Sequence, residues 1–304
     1  MERFISILSI VFAVVPAGSY SAWAQQDFVL VTQAEVPPVI LAQMAVGSDG
    51  SVWGITPQHT VVQARAGKTQ SEFQLSGYTP VGVKTTADGG AYLLFHRPGE
   101  AVLEQVTADG EIAARVELPE VPFPADFAVL PDGGIVILAG VAGSGEGQAS
   151  PAEGLVCRFS PAGELQRCDL EGLQPQRAGQ ASRLAVSAAG EVAVFTPWDR
   201  TIRRLDAEGR LTREVKVPED RPLVTALGFV GDRLWVVLNR VDKRPAPSGV
   251  TIYAVQQSEL WEVPRVGEPV PTELPASLAS VNQVFPNGDL ARIGQSGVQI
   301  FRRR

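Results

Sequence analysis

The chain is poor in the side chains that most often bind metals or carry out catalysis. It contains only two histidines and two cysteines, too few for a cysteine–histidine zinc site. Its net charge of −7 predicts no basic surface for nucleic acid. No stretch keeps apolar residues at helical spacing, which argues against long helices. Phosphate-binding loops, nucleophile elbows and metalloprotease motifs are also absent from the sequence.

Turn-forming residues, by contrast, are abundant. The chain contains 30 glycines and 23 prolines, which together make 53 of its 304 residues. That is well above the ~12% of ordinary usage. Hydrophobic residues make up 45% of the chain, enough to fill a sizeable core. This composition favours many short strands joined by tight turns.

Residues 1–24 are predicted to be a secretory signal peptide that is cleaved before Gln25. The apolar run Phe4–Val15 is shorter than the ~20 residues that a membrane-spanning helix needs. Small residues at both ends of Ala22–Ala24 stand where a signal peptidase requires them. We expect a single domain, 25–304, that is exported to the periplasm or the cell exterior and has no transmembrane segment. A buried N-terminal strand or helix is the alternative.

One pattern recurs six times: an apolar strand, a turn containing glycine or aspartate, and a second short apolar strand. The turn glycines of the six copies are Gly50, Gly89, Gly133, Gly190, Gly231 and Gly288. Their spacings run from 39 to 57 residues, and a four-stranded propeller blade needs about 40–50 residues. The sequence therefore predicts an all-β fold, a six-bladed β-propeller.

A second hairpin follows the first in each unit, so each blade is predicted to have four antiparallel strands, A to D. In the last unit Val298–Phe301 can supply strand C, but no strand D follows it. A spare strand, Phe28–Val31, precedes the first unit. We predict that the spare strand completes the last blade and closes the ring, which removes exposed sheet edges.

Both cysteines fall on one C–D hairpin. Cys157 and Cys168 stand at −6 and +5 from the turn glycine Gly163, so they should lie opposite each other. The same offsets hold opposite charges in two other units, Glu104 with Arg115 and Arg203 with Glu214. We predict a disulfide, which export permits; two free thiols are the alternative. No histidine is near either cysteine in this register, which argues against a catalytic thiol.

Two strand segments resemble a known signature. Asp49–Trp53 and Asp232–Val236 are similar to the Asp-Gly-x-hydrophobic-Trp strand of six-bladed propellers. This group includes NHL-repeat proteins, gluconolactonase-like enzymes and virginiamycin B lyase-like proteins. The resemblance covers the whole predicted mature chain and implies the fold, whereas the motif is structural and implies no chemistry.

The enzymes of that group imply sites that this sequence does not reproduce. Gluconolactonase-like enzymes hold a divalent metal in the channel with Glu, Asn and Asp. Here the first inner strand, Ile40–Met44, has no Glu, and Asn282 and Asp126 stand at different offsets from the turn glycines of their units. Lyase-like members use paired histidines and a Glu, whereas His59 and His96 belong to different blades. We therefore carry over no catalytic residue, and we expect no cofactor and no bound metal.

Candidate binding residues lie on the face formed by the B–C and D–A connections, which vary most between units. We call this the loop face. Its B–C connections contain four groups of interest: His59, then His96 with Arg97, then Trp198 with Asp199 and Arg200, and the charged run 240–244. The glycine-rich connection 139–154 is predicted to be a tolerated insertion. Trp198 either presents its ring to a partner or caps the adjacent blade, and both readings stay open.

A second set of candidates lines the predicted channel on strand A: Gln43, Lys84, Asp126 and Arg183. Asp126 and Arg183 could form an ion pair at the channel mouth, where a structural pair with trapped water is the alternative. We expect the two histidines to be solvated rather than to bind a metal.

We interpret the chain as an exported, non-enzymatic propeller that binds a protein or carbohydrate partner through its loop face. The alternative is a lactonase-like hydrolase or lyase with a site at the channel mouth. A third possibility is a subunit of an envelope assembly.

Overall fold

The structure is a computed structural model. It describes residues 28–34, 43–65, 68–121, 123–139, 154–171, 173, 183–221, 223–245, 251–279, 281–294 and 297–303. The predicted signal peptide lies outside these residues, and so does 140–153 of the predicted insertion. No helix in the described part of the chain is long and apolar enough to cross a membrane.

The described residues form 24 strands in six four-stranded antiparallel sheets. The first strands of neighbouring sheets lie close together, so that strand A of each sheet lines a central channel. This arrangement confirms the all-β, six-bladed propeller. We number the blades I to VI in chain order.

The strands of each blade follow the sequence order except in blade VI. Blade I contains β2 (Gln43–Val46), β3 (Val52–Ile55), β4 (Val61–Arg65) and β5 (Lys68–Phe73). Blade II contains β6 (Thr79–Thr85), β7 (Ala91–Arg97), β8 (Gly99–Val106) and β9 (Ile112–Val121). Blade III contains β10 (Pro124–Val129), β11 (Ile135–Ala139), β12 (Gly154–Phe159) and β13 (Leu165–Glu171).

The second half of the ring repeats this arrangement. Blade IV contains β14 (Arg183–Val186), β15 (Val192–Thr196), β16 (Thr201–Leu205) and β17 (Leu211–Lys216). Blade V contains β18 (Leu223–Val230), β19 (Arg233–Pro245), β20 (Thr251–Val263) and β21 (Val270–Leu274), followed by a 3-10 turn at Ala276–Leu278. Blade VI contains β22 (Val281–Val284), β23 (Leu290–Gly294), β24 (Gly297–Arg303) and β1 (Phe28–Ala34).

The N-terminal strand closes the ring as predicted. β1 pairs antiparallel with β24, from Phe28 opposite Arg303 to Ala34 opposite Val298. Blade VI thus combines three C-terminal strands with the N-terminal strand. Phe28 and Phe301 also pack in the apolar cluster between blades V and VI, so the closure is held by side chains as well as by the ladder.

The core is divided among the blade junctions. Six apolar clusters of buried residues each join one blade to the next. Between blades I and II, for example, Trp53 stacks on Phe73 with ring centroids 5.7 Å apart and packs beside Leu93. Trp53 and Trp235 are both buried strand residues, as the sequence predicts.

The predicted C–D register is confirmed in three blades. Cys157 lies opposite Cys168, and the two form a disulfide. The two pairs at the same offsets also lie opposite each other and form ion pairs, Glu104 with Arg115 and Arg203 with Glu214. Repeat offsets alone therefore locate cross-strand partners in this fold.

The run 240–244 is not the loop that we expected. It belongs to β19, which continues through Pro245 and pairs with β20 up to Thr251. Charged residues suggested a solvated connection, but the pairing of β19 with β20 keeps them in an extended strand. Blade V therefore carries the longest hairpin among the described strands, with 13 residues in each strand.

The face opposite the loop face holds the ring together. At the junctions of blade I with II and of blade III with IV, a strand-C side chain of one blade binds a carbonyl group of the next blade's C–D turn. The Arg158 guanidinium donates to the carbonyl groups of Asp206 and Ala207, at 3.0 Å each. The Gln63 amide donates to the carbonyl of Ala108 at 2.7 Å. These turns are short and engaged in contacts between blades, which leaves the loop face as the variable surface.

Candidate functional site

The channel candidates come together on neighbouring blades. The ammonium group of Lys84 in β6 lies 2.7 Å from Oδ1 of Asp126 in β10. The other carboxylate oxygen, Oδ2, accepts a hydrogen bond of 2.9 Å from the backbone N–H of Leu184 in β14. Asp126 thus connects three consecutive blades. Burial lowers the pKa of Arg183, and the charge of Asp126 opposes that lowering. Asp126 therefore interacts electrostatically with Arg183, as the sequence suggests, and it also forms an ion pair with Lys84.

A similar contact joins blade VI to blade I. The side-chain amide of Gln283 accepts from the N–H of Val46 at 2.8 Å and donates to its carbonyl at 3.0 Å. Thr85 of blade II donates to the same carbonyl at 2.9 Å. Polar side chains on strand A here bind backbone groups of the neighbouring strand A.

Strands A also approach closely at the start of blade II. Gly82 in β6 faces the Phe127 ring, and an added Cβ atom would lie 3.0 Å from Cε1 of that ring. The Gln43 side-chain oxygen would lie 3.7 Å from the same added atom. Gln43 is therefore placed at the channel wall beside blade II. The channel candidates Lys84 and Asp126 bind protein groups of adjoining blades, and this arrangement fits a role in blade packing.

The described residues contain no group of three or more His, Cys, Asp and Glu side chains that could hold a metal ion. The buried carboxylates of these residues are paired with arginines instead. Asp169, for example, receives a hydrogen bond of 2.9 Å from Nε of Arg158 in the interior of blade III.

On the loop face, the B–C turn of blade IV is built from a network of short contacts. Thr196 donates to Asp199 at 2.5 Å, and Arg203 donates to Thr196 at 2.7 Å. Arg203 also forms an ion pair with Asp199. Burial raises the pKa of Asp199, but the hydrogen bonds from Arg203 and Thr196 outweigh it and hold this pKa below the ordinary value. Asp199 is thus a fixed anion that shapes the turn.

Trp198 and Arg200 project from this turn in different ways. Trp198 is half-buried and packs against the apolar cluster between blades III and IV. Part of its ring therefore caps the adjacent blade, and the rest is accessible to a partner. Arg200 has a φ of 51°, a left-handed conformation that is uncommon outside glycine. Its guanidinium binds Glu219 at 2.5 Å, and the Glu219 side chain is 83% exposed. The three residues together present an aromatic ring, an anion and a cation.

The opposite blade of the ring carries a related turn. In blade I the residues Thr56–Thr60 form the B–C turn, in which the Thr60 N–H donates to Oγ1 of Thr56. His59 is exposed and has a φ of 60°. Blades I and IV are three positions apart in a ring of six, so His59 and Arg200 lie on opposite sides of the channel mouth. The prediction that His59 is solvated is confirmed.

The expectation of a solvated His96 is wrong. His96 lies near the end of β7 and is only 8% exposed, because Phe123 from the D–A connection covers it. The two rings are edge to face with centroids 5.2 Å apart. Burial lowers the pKa of His96, and a hydrogen bond with the backbone of Val121 only partly offsets this. Its Nε2 is buried without a hydrogen-bond partner among the described residues.

Arg97, the neighbour of His96, remains on the surface. Its guanidinium pairs with Glu100 at 2.6 Å and lies over the Tyr78 ring, 4.7 Å from the centroid. The Tyr78 hydroxyl donates to the same Glu100. Pro98 alone separates β7 from β8, so this B–C connection is a tight hairpin rather than an extended loop. The two candidates of blade II therefore have different partners: His96 contacts the Phe123 ring, and Arg97 contacts Glu100 and Tyr78.

Sequence reasoning missed the base of the blade V hairpin. Asn239 is fully buried; its amide donates to Thr225 at 2.9 Å and accepts from Ser258. These three residues tie β18, β19 and β20 together where the long hairpin leaves the blade. An uncharged, β-prone run at 251–257 was the available signal for a strand, but the charged run before it suggested a loop.

Comparison with known proteins identifies the fold and no family. Neither a scan against family models nor a search of the curated proteins finds a match. Among solved structures, a protein of unknown function from Bacteroides caccae is 14% identical, with a TM-score of 0.55 and coverage of 85% of this chain and 97% of that one. The virginiamycin B lyase of Staphylococcus aureus is 14% identical, with a TM-score of 0.51 and coverage of 91% and 99%.

The PQQ-bound aldose sugar dehydrogenase of Streptomyces coelicolor also matches, at 12% identity, with a TM-score of 0.54 and coverage of 91% and 98%. The predicted likeness to lyase-like propellers is therefore confirmed for the fold. Since these neighbours differ in function and share so little sequence, they carry no activity over to this chain.

Proposed function

We propose that this chain is an exported, non-enzymatic propeller that binds a protein partner through its loop face. The observation that carries the proposal is the B–C turn of blade IV, where Trp198 is half-buried on a rigid core and Arg200 is held in a left-handed conformation. Tryptophan and arginine are among the residues most enriched at binding hot spots. Backbone strain of this kind is often kept at ligand clamps.

The surroundings of this turn support the same function. Trp198 is anchored between blades III and IV, so a partner that covers its exposed part would bind a ring that is already ordered. The fixed anion Asp199 and the cation Arg200 flank the ring and give polar contacts at its rim. His59 and Arg97 add further polar groups around the same face.

Export is supported by two features. The predicted signal peptide gives a route across the membrane, and the disulfide between Cys157 and Cys168 is typical of oxidising compartments. The protein is therefore expected in the periplasm or outside the cell.

The alternative, a hydrolase or lyase at the channel mouth, would need Lys84, Asp126 and Arg183 to act on a substrate. Asp126 already binds Lys84 and the Leu184 N–H, so the contacts favour a structural role. Turnover of a lactone or an ester by the purified protein, lost in Asp126→Asn, would replace the proposal with this alternative.

Affinity capture from the exported fraction of the source cells tests the proposal. We expect a protein to be recovered by the native chain and lost with Trp198→Ala. Arg210→Ala is the control, since Arg210 is exposed on the opposite face and its side chain is 74% accessible. Equal recovery by the native chain and Trp198→Ala would contradict the proposal, and recovery of a carbohydrate instead would change the class of partner.

A further inference from the structure

The long hairpin of blade V extends past its own blade. Pairing of β18 with β19 ends at Leu223 opposite Asn239, and pairing of β20 with β21 ends at Ser258 opposite Leu274. Beyond these pairs β19 and β20 continue to bind each other as far as Pro245 opposite Thr251. Residues 240–245 and 251–257 therefore form a two-stranded arm on the loop face. At about 3.3 Å per residue the arm reaches about 20 Å from the blade.

The arm has a rigid base. Asn239, Ser258 and Thr225 form a buried hydrogen-bonded network at the level where the outer strands stop. One residue further into the blade, Glu259 accepts from Arg221 at 2.7 Å. Because the base is fixed in three strands, the direction of the arm relative to blade V is defined.

Two strands alone are an incomplete sheet. An isolated hairpin is marginally stable in water, whereas three strands with a packed face are stable. No described strand pairs with the outer edge of either strand beyond the Asn239–Ser258 level. Each edge therefore offers a row of backbone N–H and C=O groups to a further strand.

The two edges differ in sequence. The β19 part, 240–245, has three cationic residues, one aspartate and a terminal proline, which are the devices that block strand addition. The β20 part, 251–257, reads Thr-Ile-Tyr-Ala-Val-Gln-Gln and has neither charge nor proline. Its β-branched and aromatic residues favour a strand. The β20 edge is thus the open one.

We propose that the β20 edge at 251–257 accepts an extended, acidic segment of the partner protein as a third strand. Main-chain hydrogen bonds would supply affinity in this mode of recognition. The arm sequence 240–245 and 251–257 carries a net charge of +2 in a chain whose net charge is −7. An acidic segment is attracted to the arm, whereas the arm of a second copy carries the same charge of +2 and is repelled. This inference rests on the proposed function and specifies how the partner binds.

Binding of a short synthetic peptide to the full exported chain tests the proposal. The probe alternates threonine and valine and has two glutamates at each end; one copy has lysine for glutamate, and another is N-methylated at alternate peptide nitrogens. We expect the acidic peptide to bind, and both copies to bind at least about tenfold more weakly, as the loss of one or two backbone hydrogen bonds or of charge attraction implies.

Variants of the chain locate the binding edge. Neighbouring residues of an antiparallel strand point their N–H groups to opposite sides. Of the variants Tyr253→Pro and Ala254→Pro, one therefore removes an N–H that faces the open edge of β20, and the other removes an N–H that faces β19 and disturbs that pairing. Both should weaken peptide binding about tenfold or more. Val266→Pro, at an 86% exposed position outside the arm, should leave binding unchanged.

Three results would overturn the proposal. The first is no binding of the acidic peptide, or equal binding of its N-methylated copy. The second is dimerisation of the chain that the proline variants abolish, which would make a second copy the occupant. The third is capture of the native partner by both proline variants but not by Trp198→Ala, which would leave the proposed function intact and remove the arm from it.

Discussion

The side-chain amide of Gln283 binds both peptide groups of Val46, with its oxygen 2.8 Å from the N–H and its nitrogen 3.0 Å from the carbonyl oxygen. Gln283 lies on the innermost strand of blade VI and Val46 on the innermost strand of blade I, so the contact spans the junction between the last blade and the first. The Gln283 amide thus makes the two hydrogen bonds to Val46 that a neighbouring strand would make in a continuous sheet. Asp126 acts in a related way between blades III and IV, where it accepts from the Leu184 N–H.

Gln283→Leu should destabilise the fold by about 2–3 kcal/mol, because the buried peptide groups of Val46 lose two hydrogen bonds. The free energy of unfolding in urea measures this. Gln70→Leu is the control: Gln70 is exposed and, among the described residues, binds the Lys68 carbonyl alone, so we expect a change within about 0.5 kcal/mol. Equal stability of the two variants would show that the contact does not hold the junction.

Substitutions at Asp126 should give a graded loss. Asp126→Ala removes the acceptor of the buried Leu184 N–H as well as the partner of Lys84, and it should cost about 2–3 kcal/mol. Asp126→Asn keeps an oxygen for that N–H and should cost about 1 kcal/mol, since the Lys84 side chain is 36% exposed and its ion pair is partly screened.

Thermal and urea unfolding measure both Asp126 variants against Glu219→Ala. Glu219 is 83% exposed, and its loss should change stability by less than about 0.5 kcal/mol. An Asp126→Ala protein as stable as Glu219→Ala would contradict the packing role.

The purified protein should contain no free thiol before reduction. The disulfide joins residues 11 positions apart, and chain entropy alone would give about 3 kcal/mol for so short a loop. Because the hairpin already brings the two residues together, we expect the double variant Cys157→Ala/Cys168→Ala to lose about 1–2 kcal/mol. Thiol titration with and without denaturant checks the first statement, and two reactive thiols in the native protein would refute it.

Stability should fall on mild acidification because of His96. Burial lowers its pKa below the ordinary value of 6.5, so the unfolded chain takes up a proton more readily than the folded one. This cost is absent above pH 6.5 and grows as the pH falls from 6.5 toward the pKa of the folded state. His96→Gln removes the titrating group and serves as the comparison.

Unfolding free energies of the native chain and His96→Gln, measured from about pH 7.5 to about pH 5.5, test this. The difference between the two should move in favour of the variant as the pH falls. A difference that stays constant would mean that His96 titrates as a solvated residue, and one that moves the other way would mean that folding raises its pKa.

The blade count and the C–D register follow from the sequence because they depend on offsets that repeat in each unit. The ring closure follows because the last unit lacks a strand and a spare strand precedes the first unit. The offsets −6 and +5 from Gly163 place Cys157 opposite Cys168, and the same offsets from Gly110 place Glu104 opposite Arg115. Such local pairings need no knowledge of how one blade sits on the next.

The contacts between blades do not follow in the same way. The offset of neighbouring A strands decides that Asp126 lies beside Lys84 as well as near Arg183, and the repeat does not encode that offset. Likewise His96 is buried only because Phe123, 27 positions later, folds over it. The arm was missed because charges in 240–244 outweighed the strand propensity of the run that pairs with it.

Photo-crosslinking from two matched positions of blade IV tests the central claim, binding through the loop face, most directly. Glu219 lies on the D–A connection of the loop face and Glu208 on the C–D turn of the opposite face, with side chains 83% and 65% exposed. A photoreactive amino acid at 219 should give a covalent adduct with the partner in the exported fraction, and the same amino acid at 208 should give none. Adducts from 208 alone, or equally from both positions, would contradict the account.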